Sequence, residues 1–260
     1  MQQLRDHHTR QTPIFKKGGH GQTITAQGAL DSLTCTLPMH TPEAPPGRPY
    51  HQTPYRVPPE LWSPCTMMEQ LSQHAFTLKG FVSASTCDQW IAWSEALGYA
   101  PAQFSGGRLA AVRNNDRIID DHAERAELLW KGLEPKLPKH VLHFEAMRRG
   151  AVGPHVACGL NERFRWYRYK PGHRFRRHVD GAFTRDNGET SLWTVLLYLN
   201  TVDEGGQTRL WLGRAGTALV VPEPGLLLCF EHRLEHEGVE VLSGVKYVLR
   251  TDLMFRRVQR

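Results

Sequence analysis

Long hydrophobic runs are missing from this chain. No stretch of its 260 residues approaches the run of about 20 apolar residues that a membrane-spanning helix requires, so no membrane association is expected. Cysteine is scarce as well. Cys35, Cys65, Cys87, Cys158 and Cys229 are odd in number, widely scattered and without a CxxC pair, and no signal peptide precedes them. That pattern argues for reduced, mostly structural thiols in a cytoplasmic protein. Blocks of like charge are lacking too. The net charge is +6 and the pI about 9.2, but basic and acidic residues are interleaved along the whole length, and the usual nucleic-acid recognition motifs do not occur. Nucleic acid is therefore not an expected partner; a solvated basic surface or an anionic substrate accounts for the charge. No internal repeat is evident.

What is present divides the chain near residue 60. Residues 1–60 are rich in Gly, Pro, Thr, Gln and His, in stretches such as KKGGHGQ and TPEAPPGRPYHQTPYRVPP, with no sustained periodicity. Such a composition buries too little apolar surface to offset the entropy of ordering, so the segment reads as a disordered or loosely packed tail. Its few acids and scattered Arg admit a transit peptide, yet Pro13, Gly18 and Gly19 break an amphipathic helix early, and organelle targeting is not the expectation. Residues 61–260 suffice for one domain with its own core, with helical support over about 84–150 and a β core over about 160–257.

Within that domain, Phe76 to Val82 alternates like a strand. Ser85, with Asp88 three positions on, reads as the capped start of a helix that presents Trp90, Ile91, Ser94 and Leu97 on one face and stops at Gly98. A second helix is expected from about Asp121 to Leu133, opened by acids that suit the helix dipole and closed before Pro135. The polar run from Arg113 to Arg117 between them reads as an exposed turn, the alternative being a loop that touches substrate. From Phe164 onward the chain breaks into short β segments: Phe164–Tyr169, Leu192–Leu199, Arg209–Leu212, Thr217–Val221, Leu226–Phe230 and Lys246–Phe255. Many short strands without intervening helices point to a jelly roll or sandwich, so the fold class is mainly β with flanking α-helices.

Chemistry concentrates in His178, Asp180 and His236. Two imidazoles and a carboxylate fill one face of an octahedral metal ion and leave the other open, as in non-haem Fe(II) oxygenases. His178 and Asp180 are two apart, so at a strand end both side chains leave from one face. An HxD triplet alone is a weak signal. Its setting strengthens it: Tyr169, the Pro171-Gly172 turn, Phe175 and then His178-Val179-Asp180. Here the chain resembles the prolyl 4-hydroxylase-like branch of the Fe(II)/2-oxoglutarate-dependent dioxygenases. The resemblance continues through Leu197 to Asn200, Gly205 to Thr208, Pro222 to Gly225, Phe230, His236 to Gly238 and Gly244 to Tyr247. It spans about Phe164 to Phe255, with a looser likeness back to Phe76.

The resemblance implies a double-stranded β-helix (cupin-like jelly roll) core and makes His178, Asp180 and His236 the expected iron ligands. His232 is the rival for the third place; His236 is preferred because the family's distal histidine is followed by a strand and a basic residue about ten positions on, here Lys246. His155 and His173 have no comparable placement and are expected at the surface or behind the ligands. In the last strand, alternation puts Lys246, Val248 and Arg250 on one face and Val245, Tyr247, Leu249, Leu253 and Phe255 on the other. Cations buried on the inner face are costly unless an anion meets them, and the C5 carboxylate of 2-oxoglutarate is such an anion. By resemblance Lys246 is its partner, with Arg250 as helper or true anchor, and Tyr169 hydrogen-bonds the co-substrate. Thr208 and Trp211 are further candidates for the pocket wall.

The activity implied is hydroxylation of an unactivated carbon using Fe(II), 2-oxoglutarate and O2, with succinate and CO2 as co-products and ascorbate as an accessory reductant. Asp180 favours hydroxylation over halogenation, because related halogenases resemble this pattern but carry a small residue at that position. The substrate is a small molecule or a peptide or protein, with prolyl and other amino-acid side chains among the candidates. Two alternatives stay open: a non-catalytic 2-oxoglutarate or metal sensor, and a cupin-like metalloenzyme that does not use 2-oxoglutarate.

Overall fold

Alternating burial sorts most of the chain into strands. The structure, a computed structural model, describes residues 61–102, 113–148 and 151–258. The tail assigned to residues 1–60 lies outside them. The chain divides into two units, 1–50 and 51–260, and the described residues all belong to the second. They begin with a hairpin of β1 (Met67–Ser72) and β2 (Ala75–Lys79), then α1 (Ala84–Leu97), β3 (Ala100–Pro101), β4 (Asp116–Asp121), α2 (Ala123–Leu133) and a short α3 (Lys139–Leu142). Next come β5 (His143–Arg148), β6 (Ala151–Leu160), β7 (Arg163–Tyr169), β8 (Phe175–His178), β9 (Thr190–Tyr198), β10 (Glu204–Gly205) and β11 (Thr208–Trp211). The chain closes with β12 (Thr217–Val220), β13 (Leu227–Glu231), β14 (His236–Gly238), β15 (Val241–Ser243) and β16 (Lys246–Arg257).

Among the described residues the large sheet runs β1-β2-β13-β9-β16-β7-β4-β3, with β6 also paired to β16 and β5 to β6. A smaller sheet runs β12-β11-β14-β8, and β10 pairs with β15. Every pairing is antiparallel. This is the double-stranded β-helix arrangement.

The two faces of the large sheet are dressed differently. Trp193, Val195 and Leu197 of β9, Phe164 and Trp166 of β7, and Leu249, Leu253 and Phe255 of β16 pack under Trp90 of α1 and Leu129 and Leu133 of α2. The opposite face, with Tyr167, Tyr169, Tyr198 and Val248, meets Leu210 and Val220 of the small sheet. The period of two thus sends one set of side chains to the helices and the other to the space between the sheets. No helix among the described residues is long and apolar enough to cross a membrane. Cys65, Cys87, Cys158 and Cys229 are all unpaired, and burial pushes the Cys87 thiol up to about 12.

Several expectations need correction. The N-cap of α1 is Ser83, whose Oγ accepts from Thr86 N at 3.1 Å, and Ser85 lies inside the first turn. Helix α2 starts at Ala123, capped by His122, whose Nδ1 accepts from Arg125 N at 3.2 Å. The acids expected to open it belong to β4: Asp121 takes a two-pronged bond from Arg163 of β7, and Asp120 pairs with Arg125. That arginine is fully buried among the rings of Trp93, Phe164 and Trp166. The region 84–150, expected as helical support, also holds β3, β4 and β5, and β6 follows directly. β6 hid its β character behind Gly153, Pro154 and Gly159, and it bears Pro154 opposite Glu145 of β5, near the hairpin turn.

Gly225 fixes the entry to β13. Its φ is +76°, and an added Cβ would meet the Val82 carbonyl oxygen at 2.1 Å. Its own oxygen accepts from Phe81 N at 2.8 Å. Backbone approaches backbone there because no side chain intervenes.

Candidate active site

β8 and β14 bring the two histidines face to face: His178 is the register partner of His236. Their ring centroids are 4.1 Å apart. Asp180 follows β8, with Oδ1 3.8 Å from His178 Nε2 and Oδ2 3.5 Å from His236 Nε2. One ligand atom from each of the three lies within 4.8 Å of the others.

Backbone hydrogen bonds set the histidine tautomers. His178 Nδ1 sits 2.7 Å from the Arg176 carbonyl oxygen, and His236 Nδ1 sits 2.9 Å from that of Leu234. A carbonyl only accepts, so each Nδ1 carries the proton and each Nε2 presents a lone pair toward Asp180. His178 Nε2 is buried and has no hydrogen-bond partner among the described residues. Burial, followed by the neighbouring His236, lowers His178 to about 4, and burial also lowers His236, so both rings are neutral at pH 7. Phe175 stacks on His178 with centroids 3.5 Å apart, and Phe230 flanks His236 at 4.5 Å.

Asp180 is held from behind. Burial alone would raise its pKa, but Arg250, His236 and the Thr194 hydroxyl hold it well below the usual carboxylate range. Thr194 Oγ1 donates to Asp180 Oδ2 at 2.6 Å, which leaves that oxygen to accept from His232 Nδ1 at 2.9 Å. His232 Nε2 in turn meets Ser191 Oγ at 3.0 Å, and the His232 carbonyl accepts from Asp180 N at 2.9 Å. His232 therefore stands outside the ligand cluster, with both ring nitrogens engaged behind the carboxylate. His155 is buried and does not line the cleft, its Nδ1 donating to Gly153 O at 2.8 Å, contrary to a surface placement.

The cations lie where strand alternation put them. Lys246, Val248 and Arg250 line one cleft of about 400 Å³ together with His178, Asp180 and His236. Lys246 Nζ donates to Gly206 O at 2.5 Å and lies 5.4 and 5.3 Å from the ring centroids of Tyr169 and Tyr198. Burial lowers its pKa to about 7. Arg250 pairs with Asp180 at 2.9 Å and with Asp252 at 3.4 Å. Burial opposes its charge, but the two carboxylates more than compensate and keep it protonated. Tyr169 and Thr208 line the same cleft, and Thr208 Oγ1 accepts from Tyr198 Oη at 2.7 Å. Trp211 is not among the lining residues; its ring lies under the guanidinium groups of Arg177 and Arg209.

A family model described as the 2OG-Fe(II) oxygenase superfamily matches residues 164–251, the span that holds all of these side chains. Over that span, about a third of the chain, the sequence is similar to that superfamily. No curated protein matches it. Among solved structures, a Trichoplax adhaerens prolyl hydroxylase in complex with a hypoxia inducible factor oxygen degradation domain peptide fragment is 19% identical, with a TM-score of 0.51, covering 70% of this chain and 84% of that one. At that identity the likeness shows a shared fold. A Pseudomonas putida prolyl-4-hydroxylase is 20% identical with a TM-score of 0.49, covering 72% of this chain and 94% of that one. The viral collagen prolyl hydroxylase of Paramecium Bursaria Chlorella virus-1 is also 20% identical, with a TM-score of 0.47, covering 70% and 96%.

Some residues around this cleft were not foreseen. Arg113, read as part of an exposed turn, is buried; its guanidinium carbon is 5.4 Å from the Tyr167 ring centroid and 5.1 Å from that of Phe175. Asn115 and Asp116 are buried too, and Asp116 accepts from Arg168 at 2.8 Å. Tyr167 was findable, because it shares a face with Tyr169 two positions on. Thr194 gave no signal: in a strand buried along nearly all its length, a threonine looks like one more β-branched core residue.

Proposed function

We propose that this oxygenase holds Fe(II) through His178, Asp180 and His236, binds 2-oxoglutarate with its distal carboxylate on Lys246 and a hydrogen bond from Tyr169, and hydroxylates an unactivated carbon. The convergence of the ligand cluster and a buried lysine on one cleft carries the reading. The donors suit the ion: two neutral imidazoles present bare Nε2 atoms, one of them buried and unmet, beside an ionised carboxylate. When bound, the iron centre supplies the oxidation: 2-oxoglutarate and O2 become succinate and CO2, and one oxygen atom passes to the substrate C–H.

The protein's own residues prepare that chemistry. The backbone carbonyls of Arg176 and Leu234 aim the imidazoles, and Thr194 with Arg250 orients Asp180. Asp180 fills the position that halogenation would need for a halide, which favours hydroxylation. Lys246 sits among Tyr169 and Tyr198 in a site too dry to keep a bare ammonium cheaply, so an incoming carboxylate relieves its burial. The catalytic domain is placed at residues 61–260, supported by the two cores that those residues form.

Anaerobic addition of Fe(II) and 2-oxoglutarate should produce a metal-to-ligand charge-transfer absorption, and O2 with ascorbate should then release succinate. Lys246→Met should weaken 2-oxoglutarate binding about tenfold or more. An iron-loaded protein that bound 2-oxoglutarate yet never released succinate would be a sensor. One that turned over substrate without 2-oxoglutarate would be a metalloenzyme of another kind.

A further inference from the structure

Arg250 is a second buried cation in the cleft, and the co-substrate needs only one. The inference rests on the oxygenase reading above. Lys246 and Arg250 face the same way along β16, opposite Tyr169 and Arg165 of β7 respectively, with Val248 between them. Four strand residues separate their Cα atoms by about 13 Å. A five-carbon keto diacid that chelates the metal at one end and reaches Lys246 at the other leaves Arg250 beside Asp180, on the metal side where a substrate carbon must approach.

The charges agree. Iron and 2-oxoglutarate cancel each other, and Arg165 cancels Asp252, which lies 3.4 Å from it. Asp180 offsets one of Lys246 and Arg250, and the buried Arg113 lies against Tyr167 and Phe175 of the same cleft, so the balance there is positive. The Arg250 side chain is 12% exposed, and its Nε, itself buried, meets no acceptor among the described residues. Tyr167 flanks the guanidinium and offers a further hydroxyl at the same place. A guanidinium with a free N–H beside a phenol is suited to a planar carboxylate.

We propose that Arg250 receives the carboxylate of the substrate to be oxidised, so that this substrate is a small monocarboxylic acid or a free amino acid. It would then be the substrate's own acid group that sets its carbon chain against the metal.

The test compares L-proline, L-leucine, L-lysine and hexanoate with their primary amides. Binding to the anaerobic Fe(II)·2-oxoglutarate protein is read from the shift of the charge-transfer band, which needs no turnover. At least one carboxylate should bind about tenfold or more tightly than its amide, the worth of a charge-assisted hydrogen bond. Arg250→Gln should abolish that preference by weakening the carboxylate, and Arg250→Lys should restore part of it. If every acid binds the wild type no better than its amide, the proposal falls whether or not the variants fold. It falls also if Arg250→Gln weakens 2-oxoglutarate as much as Lys246→Met does, since the guanidinium would then serve the co-substrate. Failure of the wild type to bind 2-oxoglutarate at all would instead overturn the oxygenase reading itself.

Discussion

Thr194 serves two partners with one oxygen, donating to Asp180 and accepting from His232. Thr194→Val keeps the shape and removes that oxygen, leaving a buried imidazole nitrogen unmet and the carboxylate free to turn. Stability should fall by about 1–3 kcal/mol, and iron affinity about 10–100-fold, as read by urea unfolding and anaerobic Fe(II) titration. Lys246 titrates near neutrality because burial lowers it to about 7. A carboxylate beside it favours the ammonium, so binding of 2-oxoglutarate above pH 7 must take up a proton, and affinity should fall by up to about tenfold per pH unit there. Calorimetry in buffers of different ionisation enthalpy would show this uptake at about pH 8.5 and little at about pH 6; affinity flat across that range would remove Lys246 as the anchor. At this scale His178, Asp180, His236, Lys246 and Arg250 were legible because strand periodicity and motif spacing are local. Thr194 and Arg113 were not, because each reaches the site across strands far apart in the chain.

Elements are held together by a few close backbone contacts, and Gly225 makes one of the tightest beside the site strands. Gly225→Ala would place a methyl 2.1 Å from the Val82 carbonyl oxygen at a φ of +76°. A loss of about 1–3 kcal/mol or more is expected, seen as a lower thermal midpoint, with the Phe81 to Gly225 hydrogen bond loosened first. The strands β7, β9, β11, β12, β13 and β16 matched their sequence patterns to within about two residues, because each alternates or runs apolar between turn residues. β4 did not show, because the partners of its acids, Arg163 and Arg125, lie on β7 and α2. The start of α1 was displaced because Ser83 and Ser85 are equally able caps, and only the packing of Leu61 against Ser83 N, through its carbonyl at 3.0 Å, chooses between them.

The whole molecule carries the cost of keeping two imidazoles neutral. His178 is lowered to about 4 and His236 is lowered as well, whereas both would take protons near 6.5 in the unfolded chain. The unfolded state therefore binds more protons as pH falls below 6.5. Through His178 the metal-free protein should lose stability from there down to about 4, by up to roughly 1.4 kcal/mol per pH unit, and His236 acts in the same direction. Urea unfolding at about pH 7, 5.5 and 4.5 would reveal the slope, and bound Fe(II), by occupying both Nε2 atoms, should flatten it until the metal leaves. The fold class was readable because it follows from many short strands in series; the pairing of β6 with β16 and the order of the large sheet were not, since register between distant strands leaves no local mark.

The small sheet contributes the histidines and the large sheet contributes Lys246, so on the proposed assignment metal and ammonium would belong to separate layers. The distance between them is set by Leu210, Val220, Phe230 and the other side chains wedged between the layers. Packed sheets stand about 10 Å apart, and the molecule works as a caliper of that width. A keto diacid one methylene shorter would hang from the metal without touching the lysine, and one a methylene longer would have to buckle. Discrimination by chain length thus resides in the filling between the sheets, in residues that never meet the acid they measure.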